Sequence, residues 1–430
     1  MVRRHIIIPS AKLLRHSLRI AGGHGSALPG RIIEKIDPRF LKHMLAPLPK
    51  GVVIVTGTNG KTTTTHMLVH LLRAQGLKVL TNPSGSNLTR GLISTIVEQS
   101  TATGKLPYDI AVFELDEAYA PLLATAVPPK IVLALNVMRD QLDRYGELDT
   151  TATLIAKAAA KAEMVIVNGN DALLLNKTKD HPQRYTFGLA DGLLSQLSSE
   201  ANLYGKQNST NTPKIELNAK ITSVSSSEEG MNYTVEVNDK VVKNTVPLLG
   251  IHNVMNGVAA VFTTSIITSN NDIATTSAGL KSFHPAFGRG ETLRLDNKEL
   301  TVALVKNPSG FTQNLATFVT PNIDAILVVI NDEYADGRDV SWLWDVQIER
   351  LRKFKGTIFV GGKRRFDMAL RLKYEDIAFK VIDTDNIEGL MKQVMQSKEW
   401  DGRLLIIPTY TAMLAIRKWL GAKLGGRHIW

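Results

Sequence analysis

Val52-Val53-Ile54-Val55-Thr56-Gly57-Thr58-Asn59-Gly60-Lys61-Thr62-Thr63 decides how the rest of this chain is read. The run of Val and Ile predicts a strand over 51–56 that is buried on both faces. A glycine loop follows, and a helical pattern runs from there to about Ala74. In a strand–loop–helix unit of this kind, backbone N–H groups converge on phosphate oxygens and the helix N-terminus adds favourable partial charge. Gly57, Thr58, Asn59, Gly60 and Thr63 would form the cradle, Lys61 would neutralise the β/γ-phosphates, and the Thr62 hydroxyl would ligate Mg²⁺. Gly57 lies two residues closer to Gly60-Lys61 than the GxxxxGK[ST] spacing places it, and Val55 stands where that motif has its first glycine. The competing reading is a structural turn. Strand, loop and helix all stand where nucleotide binding needs them.

Outward from this loop, apolar runs alternate with helical patterns. Strands are expected at 109–114, 131–135 and 164–167, with an alanine-rich helix over 151–162 and another helix from Glu117. That is the βαβ rhythm of a parallel sheet covered on both faces. Residues 193–249 change texture to Ser, Asn, Thr and Lys, and the alternation at 214–223 and 231–242 predicts a small antiparallel β insertion. Helices return at 252–265 and 272–282. A second βα series then begins, with strands at 300–305, 325–330, 357–360, 379–382 and 404–407. The expected organisation is a basic N-terminal segment over 1–50, a nucleotide-binding α/β domain over 51–295 and a C-terminal Rossmann-like α/β domain over 296–430. The boundary is placed near 292–299.

Composition bounds the function. The 430 residues are 44% hydrophobic and 21% charged, which describes a globular chain, and carry a net charge of +11. There is no cysteine, which excludes disulfides, thiolate zinc sites and a cysteine nucleophile from this chain. No apolar run approaches the roughly 18 residues that span a bilayer, and 1–50 lacks the form of a secretory signal, so a cytoplasmic protein is expected. Residues 1–50 hold ten Lys/Arg against Glu34 and Asp37, a net +8. Arg3, Arg4, Arg15 and Arg19 interleave with apolar residues, which suits either contact with an anionic membrane at the inner face of the plasma membrane or a flank packed on the body. Aromatic residues do not interleave with the basic clusters, so nucleic acid is not expected as a partner.

A second chemical signal is Glu114-Leu115-Asp116-Glu117 at the end of the strand over 109–114. A carboxylate there can complete a Mg²⁺ shell across the sheet crevice, and Glu114 is the preferred ligand. The alternative is that these acids cap the helix from Glu117, a role that suits Asp116.

The phosphate loop, the Glu114 cluster, Gly250-Ile251-His252-Asn253-Val254-Met255-Asn256 and Gly288-Arg289-Gly290-Glu291 together resemble the ATP-dependent Mur ligases. Three further stretches look like the MurT family, the synthetase subunits of lipid II isoglutaminyl synthase: Asn136-Val137-Met138-Arg139-Asp140-Gln141, Asn307-Pro308-Ser309-Gly310-Phe311 and the segment from Tyr334 to Asp345. The resemblance implies a Mur ligase-like fold and ATP-dependent amidation of the α-carboxyl of D-glutamate in lipid II. ATP and Mg²⁺ would serve as cofactors, and ammonia would come from a GatD-like class I glutamine amidotransferase subunit. It implies that Asn253 and Asn256 contact the adenine and that Arg289 reaches the γ-phosphate. Their plain alternatives are helix capping for the asparagines and an Arg289–Glu291 pair at the hinge. It also suggests that Asp345, with Asp339 as runner-up, orients the partner's catalytic histidine, with Trp342 and Trp344 as anchors. The bland reading of that segment is an exposed acidic turn.

Three departures from the pattern stand out. Gln141 replaces a frequent histidine metal ligand, no aspartate for the ribose stands around Val305-Lys306-Asn307, and the four-cysteine zinc ribbon of many relatives is missing, so no zinc is expected. Lys157, Lys161 or neither is a carbamoylated lysine. Two other classes stay open: a different amide ligase of the Mur or folylpolyglutamate type, and a non-catalytic nucleotide-gated binding protein.

Overall fold

The computed structural model describes residues 8–9, 12, 28–82, 89–101, 103–138, 148–197, 215–227, 229–285 and 287–425. The chain is organised on two sheets. The first contains β1 (Val52–Thr56), β2 (Val79–Thr81), β3 (Ile110–Glu114), β4 (Ile131–Ala134), β5 (Met164–Asn168), β6 (Arg184–Leu189), β7 (Ala219–Ser227), β8 (Gly230–Val237) and β9 (Lys240–Val246). Their order is β2-β3-β1-β4-β5-β6-β7-β8-β9, parallel as far as β7 and antiparallel beyond it. The register sets Val55 beside both Glu114 and Leu133, so the loop after β1 opens next to the carboxylate that ends β3.

Both faces of this sheet are covered, which is why β1, β3 and β4 are apolar runs without alternation. On one face, Met67, Leu68 and Leu71 of the helix Lys61–Ala74 share a core with Val254 and Val258 of the helix Ile251–Thr268. The opposite face holds Phe40, Leu45, Ile93, Ile96 and Leu123 from three shorter helices.

The second sheet contains β10 (Arg289–Leu295), β11 (Lys298–Ala303), β12 (Ala325–Val329), β13 (Thr357–Gly361), β14 (Lys380–Val381) and β15 (Arg403–Pro408), in the order β10-β11-β15-β12-β13-β14. Only the β10–β11 pair is antiparallel.

The α/β architecture expected from the sequence is the one observed, with local differences. Residues expected as a separate β insertion instead prolong the first sheet, because β7 pairs in parallel with β6. Tyr233, Val235, Val242 and Val246 then join the main core. The stretch expected as one strand over 231–242 is a hairpin. Asn238 and Asp239 take φ of 47° and 60°, the left-handed pair that a two-residue turn needs. The helix expected from Glu117 begins at Ala120. The boundary expected near 292–299 cuts the β10–β11 hairpin, so Arg289 belongs to the second sheet.

Candidate active site

Gly57 and Gly60 shape the phosphate loop. Gly60 ends it in the left-handed region at φ 85°, directly before the helix Lys61–Ala74. Asn136, just past β4, braces the loop from beneath. Its side-chain oxygen accepts the Asn59 N–H at 2.8 Å, its NH₂ donates to the Asn59 carbonyl at 2.9 Å, and its backbone carbonyl accepts the Thr58 N–H at 2.9 Å. The Thr58 and Asn59 N–H groups are thereby occupied. The donors left for an anion are those of Lys61, Thr62 and Thr63, which have no acceptor within their own helix.

Four groups from three elements meet in front of those donors. The Thr62 hydroxyl donates to Glu114 Oε1 at 2.9 Å and accepts from the Arg289 guanidinium at 3.3 Å. Lys61 Nζ donates to the Gly57 carbonyl at 2.6 Å and lies 3.3 Å from both Asp116 Oδ1 and Glu117 Oε1. Glu114 is held at its backbone by Asn82, whose amide donates to the Glu114 carbonyl at 2.9 Å and accepts its N–H at 3.0 Å. Burial pulls the Arg289 guanidinium below its usual range while the Glu114 charge pulls it back up. It starts from so high a value that Arg289 remains a cation. His66, one turn beyond Thr62, is pushed down by burial, with Glu114 opposing.

Of the residues singled out in the sequence, Lys61, Thr62, Glu114 and Arg289 thus stand together. Arg289 turns to Thr62 and not to Glu291, whose buried Oε2 has no hydrogen-bond partner. Asn253 donates to the Leu249 carbonyl at 2.8 Å and Asn256 donates to Asn253 at 3.3 Å. The Asn256 carboxamide also lies against Gly60, where an added Cβ would stand 2.6 Å from its oxygen. These asparagines therefore do not cap the helix Ile251–Thr268, whose N-cap is Gly250. Asp116 does not cap a helix either; it faces Lys61.

Asp345 closes the 3-10 turn Ser341–Asp345 in the second domain, half-buried, between exposed Trp344 and buried Val346. Asp339 is committed to its own turn, accepting from the Ser341 N–H at 2.8 Å and hydroxyl at 2.9 Å. Lys157 and Lys161 are both exposed. Gln141 and the basic residues Arg3, Arg4, Arg15 and Arg19 lie outside the described residues.

Several residues of the site had no role in the sequence reading. Asn307 donates to Asn59 Oδ1 at 3.0 Å while its own oxygen caps the helix Pro308–Phe318 through the Gly310 N–H at 2.8 Å. It ties the phosphate loop to the second domain, as Arg289 does. Asn136 and Asn307 stand inside motifs quoted above, and that was their only signal. Glu117, buried against Lys61, belonged to the quoted acid cluster but had been given no partner there.

The donor set suits a hard cation. Thr62 and Glu114 offer adjacent oxygens, and Mg²⁺ takes one or two protein oxygens plus phosphate and water. Among the described residues no three His, Asp or Glu side chains form a closed metal cage, and none is needed for such a site.

This is the architecture of a Mur ligase. Residues 55–264 match the Mur ligase middle domain and residues 304–413 the MurT ligase C-terminal domain. The fold is that of MurF from Thermotoga maritima, solved in complex with ADP (TM-score 0.67, 16% identity, 93% of this chain and 85% of that one). It is also that of folylpolyglutamate synthase from Mycobacterium tuberculosis (TM-score 0.62, 15% identity, 92% of this chain and 98% of that one). Within the class the resemblance narrows. The MurT subunit of the glutamine-hydrolysing lipid II isoglutaminyl synthase of Streptococcus pneumoniae is 31% identical over 93% of both chains. The corresponding subunit of Staphylococcus aureus is 28% identical over 99% of both. The chain belongs to the MurT family, a family of ligase subunits.

Proposed function

We propose that this chain amidates the α-carboxyl of D-glutamate in the stem peptide of lipid II, using ATP and ammonia released by a glutaminase partner. The observation that carries the reading is the Arg289–Thr62–Glu114 chain beside Lys61, which assembles one phosphoryl-transfer site from both domains.

A carboxylate does not react with ammonia, so its oxygen must first take the γ-phosphoryl group of ATP to give an acyl phosphate, with ADP leaving. The N–H groups of Lys61, Thr62 and Thr63 hold the phosphates, and Lys61 swings from the Gly57 carbonyl toward them. Arg289 meets the charge on the transferring group from the opposite domain. Thr62 and Glu114 would hold Mg²⁺, which would supply positive charge to offset that of the phosphates. Asn253 and Asn256, behind Gly60, would face the adenine side. Ammonia then attacks the acyl carbon, a C–N bond forms, the C–O bond to phosphate breaks, and the nitrogen sheds a proton.

The chain has no cysteine, so a thiol-dependent release of ammonia from glutamine must occur on another subunit. Asp345 would reach across to orient that subunit's histidine, with Asp339 the second candidate. Contact with the anionic membrane that carries lipid II would come from the basic N-terminal segment. Its described part exposes Ile32, Lys35, Ile36, Arg39 and Lys42, and no described helix is long and apolar enough to cross a membrane.

The test is Asp345→Asn in the reconstituted pair, assayed with lipid II, ATP and Mg²⁺. Glutamine-driven amidation should fall by on the order of 10³-fold or more, while amidation driven by added ammonium stays at the wild-type rate. Retention of both activities would refute the shared triad, and loss of both would mark a synthetase or folding defect instead.

A further inference from the structure

The helix Arg365–Tyr374 in the second domain turns Met368 and Leu372 into the core. Arg371, one turn on from Met368 and on the same side of the helix, is only 4% exposed. Its Nε is buried without a hydrogen-bond partner. A methionine would fill such a position with no polar group to desolvate, whereas a buried guanidinium with a donor left unsatisfied is costly. Stability therefore does not account for this arginine.

Its contacts do. The Arg371 guanidinium lies over the Trp344 ring, 5.6 Å from its centroid, and donates to the Val346 carbonyl at 3.1 Å. Trp344 and Val346 flank Asp345, so one side chain grips the chain on either side of that acid. A third bond, to Glu375 at 2.6 Å, fixes the guanidinium itself. Arg352 holds Glu375 in turn, donating from Nε to its carbonyl at 3.1 Å and pairing with its carboxylate. The rest of the turn is tied inward. Trp342 stands edge-on to Phe311 with ring centroids 6.4 Å apart, and the Gln347 N–H donates to the Thr312 hydroxyl at 3.1 Å. Trp344 differs: it is 46% exposed, so burial alone does not fix it, and Arg371 and the edge of Tyr374 meet its ring.

We infer that Arg371 is a positioning residue for the glutamine-dependent reaction, fixing the direction of Asp345 by holding Trp344 and Val346. The inference rests on the role proposed above for Asp345. An acid that orients a histidine on another subunit works only in a set geometry, and a misplacement of about 1 Å costs on the order of 10²-fold in rate. The planar guanidinium serves a ring, a carbonyl and a carboxylate at once, which the point charge of a lysine does not.

The experiment compares Arg371→Met, Arg371→Lys and Asp345→Asn in the full chain paired with the glutaminase subunit. Arg371→Met should keep or raise the melting temperature, because an apolar side chain replaces a buried charge and Glu375 retains Arg352. Ammonium-driven amidation should stay at the wild-type rate. Glutamine-driven amidation should fall on the order of 10²-fold, through kcat for glutamine hydrolysis and not through the KM for glutamine or the Kd of the complex. A purely structural role would not give that split. Arg371→Lys, which keeps a charge against Glu375 and stands in should Arg371→Met fail to fold, should lose at least ~tenfold in the same kcat. Wild-type glutamine-driven amidation in Arg371→Lys, or in both Arg371 variants while Asp345→Asn is impaired, overturns the inference. So does an equal loss of ammonium-driven and glutamine-driven amidation in Arg371→Lys. If Asp345→Asn itself keeps glutamine-driven amidation, the role proposed for Asp345 fails, and Arg371 has nothing to position.

Discussion

Gly60 and Asn256 show how tightly the nucleotide side is set. At φ 85° an alanine is strained by roughly 1–2 kcal/mol, and its Cβ would stand 2.6 Å from the Asn256 oxygen. Gly60→Ala should therefore displace Asn256 or the first helical turn. Titration calorimetry with a non-hydrolysable ATP analogue should show affinity reduced at least ~tenfold, about 1.4 kcal/mol; unchanged affinity would separate Asn256 from the nucleotide. At this scale the sequence was readable where a role is written in neighbouring residues. Glu114 ends β3, and Lys61 and Thr62 open the helix that follows β1, places that the hydrophobic pattern already indicated. Asn136 and Asn307 were not readable, because their common partner Asn59 lies 77 and 248 residues away in the chain and only the fold joins them. The capping alternative for Asp116 falls away for a related reason: the acid that suits a cap also suits Lys61, and the helix starts too late for the cap.

The strand β10 carries two roles through one irregularity. Its pairing with β11 slips between Arg289 and Glu291, with Gly290 at φ 85° between them. Arg289 is thereby aimed at Thr62, while Glu291 is left with a buried, unpartnered oxygen. Burial pushes the Glu291 carboxyl up to about 7, with Arg417 opposing. A carboxyl whose folded pKa exceeds its unfolded value favours the fold while protonated, and that advantage is lost as pH rises from about 4.5 through 7. Glu291→Gln should raise the melting temperature at pH 8 and change it little at pH 5. A shift of equal size at both pH values would rule out titration as the cause. Slips of this kind are invisible in hydrophobic periodicity. The β7–β9 extension was hidden differently: its strands were legible, but pairing with β6 is a long-range choice that alternation does not encode.

Across the whole molecule, the phosphate site is divided between the two domains. The first supplies the phosphate loop and Glu114, and the second closes on it with Arg289 and with Asn307 against Asn59. The second domain also carries the 3-10 turn Ser341–Asp345. The central claim is that this chain activates a carboxylate as an acyl phosphate. The most direct measurement uses lipid II labelled with ¹⁸O in the D-glutamate α-carboxyl, incubated with the chain, ATP, Mg²⁺ and ammonium. One ¹⁸O should appear in the released phosphate for each amide formed, and Lys61→Ala should abolish both products. Amide formation with unlabelled phosphate would contradict the account.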